Sequence, residues 1–96
     1  TRKNGLVFKN QFLVIFVNRN DLKMTQIGLS VGKRIGNAVN RNRVKRRLRE
    51  ILSLINIVDG VDILIVARLK VSIATYKELS HSVFNLMRKA CILENI

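Results

Sequence analysis

The chain has 96 residues, 48% of them hydrophobic, and its 18 Lys and Arg against 6 Asp and Glu give a formal net charge of +12. This length predicts one domain with a single core, and the apolar content excludes a disordered basic tail. The longest apolar run, residues 12–17, is too short to span a bilayer, so we expect no membrane partner, and the charge favours nucleic acid.

The first half of the chain predicts three strands. A short apolar piece, residues 6–8, follows a turn at Gly5, and residues 12–17 read as a strand that is apolar on both faces. The polar stretch 18–23 predicts a hairpin-like connection. In the next strand, residues 27–31, apolar side chains alternate with Gly and Ser, which leaves room for a ligand against one face.

A helix is predicted after Gly36, with Asn37 or Asn40 as its N-cap. Apolar residues follow at helical spacing and predict a buried stripe: Val44, Leu48, Ile51, Leu52 and Ile55. The opposite side of this helix presents mostly arginine to solvent.

The second half predicts one more strand and a last helix. Asp59 and Gly60 form a turn before residues 61–66, a nearly continuous apolar strand that we expect at the centre of the sheet. Thr75 and Glu78 match a capping box, and the apolar spacing carries the last helix to Leu93. The order of elements predicts an α+β fold, a two-layer sandwich of a four-stranded mixed sheet with both helices on one face. We expect the five aromatic residues mainly in the core, with one or two lining an exposed sheet surface.

The densest charge lies in residues 33–49, which read KRIGNAVNRNRVKRRLR and hold eight basic residues, six of them Arg. No acidic residue occurs between Asp21 and Glu50. A solvated helix face is the alternative interpretation, but such faces usually mix charge signs to gain i,i+4 pairs. Guanidinium groups bind phosphate bidentately and stack on bases, so this composition favours RNA or DNA over simple solubility.

Catalytic and metal-binding patterns are not found in the sequence. The six carboxylates are scattered along the chain, and His81 has no carboxylate or cysteine beside it. One Cys and one His cannot form a zinc site, and the lone Cys91 is typical of a reducing compartment. We therefore expect no cofactor bound by the protein itself.

Two stretches resemble a known family. Residues 28–39 (GLSVGKRIGNAV), followed by Arg41-Asn42-Arg43-Val44-Lys45-Arg46 and Arg49-Glu50, are similar to the signature of the bacterial ribonuclease P protein subunit. Residues 62–68 and Thr75-Tyr76 resemble that family's next strand and last helix. The resemblance covers nearly the whole chain.

The resemblance implies a protein that binds a catalytic RNA and helps it remove the 5′ leader from precursor tRNA in the cytoplasm, with Mg²⁺ acting through the RNA subunit. It also implies a left-handed crossover into the basic helix and an N-terminal helix of which residues 1–4 would be the last turn. The residues that it implies for RNA binding are Lys33, Arg34, Arg41, Asn42, Arg43, Lys45, Arg46, Arg49 and Arg68. Those that it implies for a leader-binding cleft are Phe8, Ile15 (where relatives often carry a tyrosine) and Ser30.

Two alternatives stay open from the sequence. A ribosomal or RNA-chaperone protein could use the same arginine helix on another RNA. An independent protein nuclease is the third interpretation, and cleavage assays with and without the catalytic RNA separate all three.

Overall fold

The computed structural model of the chain describes residues 5–20 and 24–90. Within these ranges the strands are β1 (Leu6–Lys9), β2 (Leu13–Arg19), β3 (Gln26–Ser30) and β4 (Val61–Ala67), and the helices are α1 (Ala38–Ser53) and α2 (Tyr76–Lys89). Short 3-10 helices, Lys33–Ile35 and Leu69–Ile73, precede α1 and α2. No helix in the described ranges is long and apolar enough to cross a membrane.

The four strands form one mixed sheet in the order β1-β2-β4-β3. β2 pairs antiparallel with both β1 and β4, whereas β3 pairs parallel with β4. This order confirms the α+β class and the interior position of the strand that begins at Val61. The prediction of a hairpin after β2 is wrong, because β4 lies between β2 and β3; residues 21–23 of that connection lie outside the described residues.

Both helices cover the same face of the sheet. Alternate residues of β2 and β4, such as Ile15 and Ile65, are completely buried in one cluster with Leu48 of α1 and with Leu79 and Leu86 of α2. α2 also contacts β1 and β2, and α1 packs against α2. α1 connects the parallel strands β3 and β4, and the left-handed path of this crossover stays a prediction.

The other face of the sheet has no helix on it among the described residues. Val14, Phe16 and Val66 are only half-buried there, and Leu64 and Val7 keep 42% and 57% of their surface exposed. The sequence shows that β2 is apolar on both faces. In the structure only one of these faces is covered by helices, and the other stays partly exposed.

The helix signals in the sequence are confirmed at their N-termini. Asn37 is the N-cap of α1, and Thr75 and Glu78 form a complete capping box on α2. Four of the five residues of the predicted apolar stripe lie in α1; the fifth, Ile55, follows the end of the helix at Ser53. Leu93, the last predicted residue of α2, lies outside the described residues.

The aromatic residues divide between core and surface. Phe12 is buried, and Phe8 and Phe16 are half-buried. The expectation of a core position is wrong for Tyr76 and Phe84, which are 40% and 42% exposed. Phe84 lies on the side of α2 that points away from the sheet, where the helical period places it. Tyr76 shares the helical period of the buried Leu79 and Val83, but it is the first residue of the helix and stays exposed there.

Candidate RNA interface

The basic helix α1 has a defined beginning. Gly36, immediately before the cap, adopts φ 150°, a conformation that L side chains rarely adopt. A Cβ at Gly36 would also lie 3.1 Å from the side chain of Asn40. The Asn37 side-chain oxygen then accepts a hydrogen bond from the Asn40 backbone N–H at 3.0 Å. This start fixes the direction of the arginine-rich segment.

One side of α1 is held by the core. Val44, Leu48 and Ile51 are 6%, 0% and 2% exposed, which confirms the predicted stripe. Burying each such side chain contributes roughly 1.5–3 kcal/mol. The polar side of the helix is therefore presented from a rigid element, so its side chains lose less conformational freedom when they bind a ligand.

The exposure of each basic side chain in α1 depends on its position relative to the buried stripe. Three of the predicted RNA-binding arginines in α1, Arg43, Arg46 and Arg49, are exposed together with Asn42, whereas Arg41 and Lys45 are half-buried beside the stripe. The Arg41 Nε is buried and has no hydrogen-bond partner among the described residues. The exposed residues form what we call the cationic face of α1: Asn42, Arg43, Arg46 and Arg49.

Three further basic residues lie at one edge of the sheet. β3 and β4 are parallel, so their carboxyl ends lie at the same edge, where Lys33 and Arg34 follow β3 and Arg68 follows β4. The two 3-10 helices that contain or follow these residues contact each other. All three side chains are exposed. The fold thus brings the sequence-distant Arg68 next to the basic run.

Arg68 also has a structural role. Its Nη1 donates a hydrogen bond to the Asn10 backbone oxygen at 2.9 Å, and its backbone N–H donates to the Phe12 oxygen at 2.8 Å. The Asn10 side chain in turn donates to Ser82 of α2. Arg68 therefore links the β1–β2 connection to the end of β4, and part of its donor capacity is already used.

A groove runs between α1 and the outer edge of β3. Its volume is about 420 Å³. Apolar side chains of Ile27, Leu29 and Leu52 line it together with the basic side chains of Lys45 and Arg49. This groove was not predicted from the sequence, although the half-polar pattern of β3 and the position of Leu52 at the margin of the stripe both indicate an accessible surface there.

The three residues implied for the leader cleft do not share a surface. Phe8 and Ile15 are paired in register, and Ile15 is completely buried on the helix-covered face. Ser30 is exposed and paired with Val66, which places it on the open face. Because side chains alternate along a strand, residues at these registers point to opposite faces of the sheet. Ile15 therefore cannot line an accessible cleft in this structure, and the cleft composed of these three residues is not present.

The described acidic residues of the sheet and of α2 have structural partners. Asp62 accepts a hydrogen bond from the Asn20 side chain at 2.7 Å, and the Glu78 carboxylate accepts one from the Thr75 backbone at 2.9 Å. His81 is exposed on α2, and Cys91 lies outside the described residues. In residues 5–20 and 24–90, no three His, Cys, Asp or Glu side chains come together in a group that could hold a metal ion.

Comparisons with known proteins agree on one family. The model of the family described as Ribonuclease P matches residues 1–91. A ribonuclease P protein component of Clostridium novyi (strain NT) is 40% identical over 92 residues, which cover 92% of this chain and 81% of that protein. The corresponding protein of Clostridioides difficile (strain 630) is 37% identical over 93 residues, covering 94% of this chain and 82% of that protein.

The fold is also similar to a solved structure. The ribonuclease P protein of Staphylococcus aureus superposes with a TM-score of 0.86 at 28% sequence identity, covering 96% of this chain and 86% of that one. The matches in sequence and in structure both include the sheet and the basic helix, so the same family accounts for the motif and for the architecture around it.

Proposed function

The chain belongs to the ribonuclease P protein family and is a protein component of ribonuclease P, and on this premise we propose how it acts. It binds the catalytic RNA through the cationic face of α1, and it assists the RNA in removing the 5′ leader of precursor tRNA. The alternative of a ribosomal or chaperone protein has no support in the comparisons, which name ribonuclease P throughout.

One observation supports this proposal above the others. The cationic face of α1 presents exposed guanidinium groups from a helix whose other side is almost completely buried. Phosphate contacts from such groups release counterions from RNA and are charge-assisted. A folded protein alone gains nothing from this concentration of like charge, so the face is best explained by a polyanionic partner.

We place the leader of the precursor in the groove between α1 and β3. A single strand offers both phosphates and unstacked bases, and this groove supplies two basic side chains above an apolar floor. A larger groove of about 760 Å³ over part of the open sheet face is lined by Asp62 and by no Lys or Arg. Its charge makes it the poorer site for a polyanion.

Catalysis is proposed to belong to the RNA subunit, with magnesium ions held there. Two of the protein's carboxylates, Asp62 and Glu78, already accept structural hydrogen bonds, and the rest are scattered in the sequence. The protein then contributes by lowering the repulsion between two polyanions, the catalytic RNA and the precursor.

A cleavage assay tests the proposal. The protein should accelerate leader removal by the catalytic RNA most strongly at low magnesium, where the RNA lacks screening cations. Protein that has been freed rigorously of RNA should cleave no precursor tRNA. Metal-dependent cleavage by the RNA-free protein, or equal rates with and without the protein at low magnesium, would show that the proposal is wrong.

A further inference from the structure

The outward side of α2 carries a stripe of four residues that the family motif does not include: Lys77, His81, Phe84 and Arg88. Successive residues of an α-helix rotate by about 100°, so these four fall within an arc of roughly 60°. All four side chains are exposed. We call them the outer stripe of α2.

The outer stripe is held on a rigid support. Leu79, Val83, Leu86 and Met87, on the other side of the helix, are at most 1% exposed. The capping box at Thr75 fixes the beginning of α2. Exposed side chains on such a helix keep a defined spacing, and the stripe extends over about 16 Å from its first to its last residue.

An aromatic ring and a guanidinium group are in cation–π contact at the C-terminal end of the stripe. The guanidinium carbon of Arg88 lies 5.0 Å from the centroid of the Phe84 ring, while Phe84 keeps 42% of its surface exposed. The exposed part of the ring and the guanidinium group together offer a planar, positively charged contact for a ligand. Nucleobases stack on both aromatic rings and guanidinium planes in complexes with single-stranded RNA.

One acidic residue of α2, Glu78, lies beside Lys77 in the sequence, and its carboxylate is engaged in the capping box, where it accepts a hydrogen bond from the Thr75 backbone. The four residues of the stripe include no acidic one, so Lys77 and Arg88 give the stripe itself a net positive charge. This charge is complementary to a polyanion, and the exposed ring fits an unpaired base better than a duplex, whose bases are already stacked.

We propose that the outer stripe of α2 binds an unpaired segment of the catalytic RNA, with one base stacked on Phe84 and Arg88 and a neighbouring phosphate bound by Lys77. The inference rests on the proposed function. Because α1 and α2 pack side by side on the same sheet face, RNA bound to the cationic face of α1 is already close to α2. The second contact then forms at high effective concentration.

Affinity measurements with the catalytic RNA alone, at one fixed salt concentration, test this inference. Phe84→Ala should weaken binding at least about fivefold, as expected for the loss of one base–aromatic stack. Phe84→Tyr should retain binding, since tyrosine keeps the ring. Arg88→Ala has a matched control in Lys89→Ala, which removes the same charge from the next position, also exposed, about 100° around the helix. We expect the Arg88 variant to lose at least about threefold more affinity than the Lys89 variant.

The outcomes separate this inference from the proposed function. Equal losses for Arg88→Ala and Lys89→Ala, or no loss for Phe84→Ala, would overturn the outer stripe as a specific site. A loss that appears only when the assembled enzyme binds precursor tRNA would also overturn it, because the partner would then be the substrate. Arg46→Ala is the parallel arm: unchanged affinity in that variant would count against the proposed role of α1, whatever the Phe84 variants do. Thermal unfolding of each variant checks that the fold is intact.

Discussion

The two helices lie side by side on one face of the sheet, yet their ends carry opposite charge patterns. α2 has an acidic residue, Glu78, in its first turn and basic residues, Arg88 and Lys89, in its last turn. α1 has no acidic residue in its first turn and no basic residue in its last turn. Its arginines begin at Arg41, close to the N-terminus of the helix.

The helix dipole determines whether charged residues at the two ends stabilise or destabilise each helix. Acidic residues near the N-terminus and basic residues near the C-terminus each stabilise a helix by about 0.3–1 kcal/mol. α2 gains these contributions, whereas α1 places positive charge near its positive end. The charges of α1 therefore do not serve the stability of the free protein, and they become favourable when a polyanion binds. The core and the Asn37 cap hold α1 in place instead.

The largest expected effect concerns the buried side of α1. Leu48→Ala removes a completely buried side chain and should lower the free energy of unfolding by about 2–5 kcal/mol. Leu54→Ala, at a position that is 79% exposed just after the helix, is the control and should change it by less than about 0.5 kcal/mol. Urea unfolding followed by circular dichroism measures both. Similar values for the two variants would mean that α1 is not held by the core.

The second prediction is the salt dependence of binding to the catalytic RNA. If about five phosphates are contacted, log affinity should fall against log salt with a slope of about −4 to −5. A fourfold rise in salt then weakens binding roughly 250- to 1,000-fold. Arg46→Ala and Arg49→Ala should each flatten the slope by about one unit. A slope near zero would mean that the cationic face does not bind phosphates and only keeps the protein soluble.

The third prediction compares RNA affinity, at one fixed salt concentration, between variants in α1 and a variant outside it. Arg43→Ala and Arg46→Ala should each cost about 1–3 kcal/mol of RNA-binding free energy, as for one charge-assisted contact. Arg19→Ala, at the exposed end of β2, should cost under about 0.5 kcal/mol. Arg46→Lys should also weaken binding, because an ammonium group cannot make bidentate phosphate contacts. Equal losses at Arg46 and Arg19 would indicate a diffuse electrostatic binder.

The smallest expected effects are those of removing the two helix N-caps, which should differ in RNA binding but not in stability. Thr75→Ala and Asn37→Ala each remove a side-chain cap and should lower the free energy of unfolding by about 1 kcal/mol. Only Asn37→Ala should also weaken binding to the catalytic RNA, since it loosens the start of the cationic face. Thermal unfolding and affinity measurements on both variants test this. Equal weakening of RNA binding by both variants would mean that the start of α1 has no special role in binding.

Local patterns were sufficient for much of the fold and for part of the site. The strands, the stripe of α1 through Leu52 and the capping box of α2 were predicted, and Asn37 was one of the two candidates for the N-cap of α1, because each depends on side chains close in sequence. The predicted hairpin after β2 failed because strand neighbours are chosen by long-range pairing: β4, from the second half of the chain, lies between β2 and β3. The exposed positions of Tyr76 and Phe84 were missed for a different reason. An aromatic residue predicts apolar surface, but not whether that surface is buried.

The sequence by itself determined the family, the basic helix and which of its sides packs, since periodicity and charge are written in consecutive residues. Only the tertiary structure decided which sheet face stays open, and hence that Ile15 and Ser30 point to opposite sides. It also decided that Arg68 joins Lys33 and Arg34, because parallel pairing places the carboxyl ends of β3 and β4 at one edge. The groove beside Lys45 and Arg49 is likewise tertiary, since its two walls are brought together only when α1 packs against the sheet.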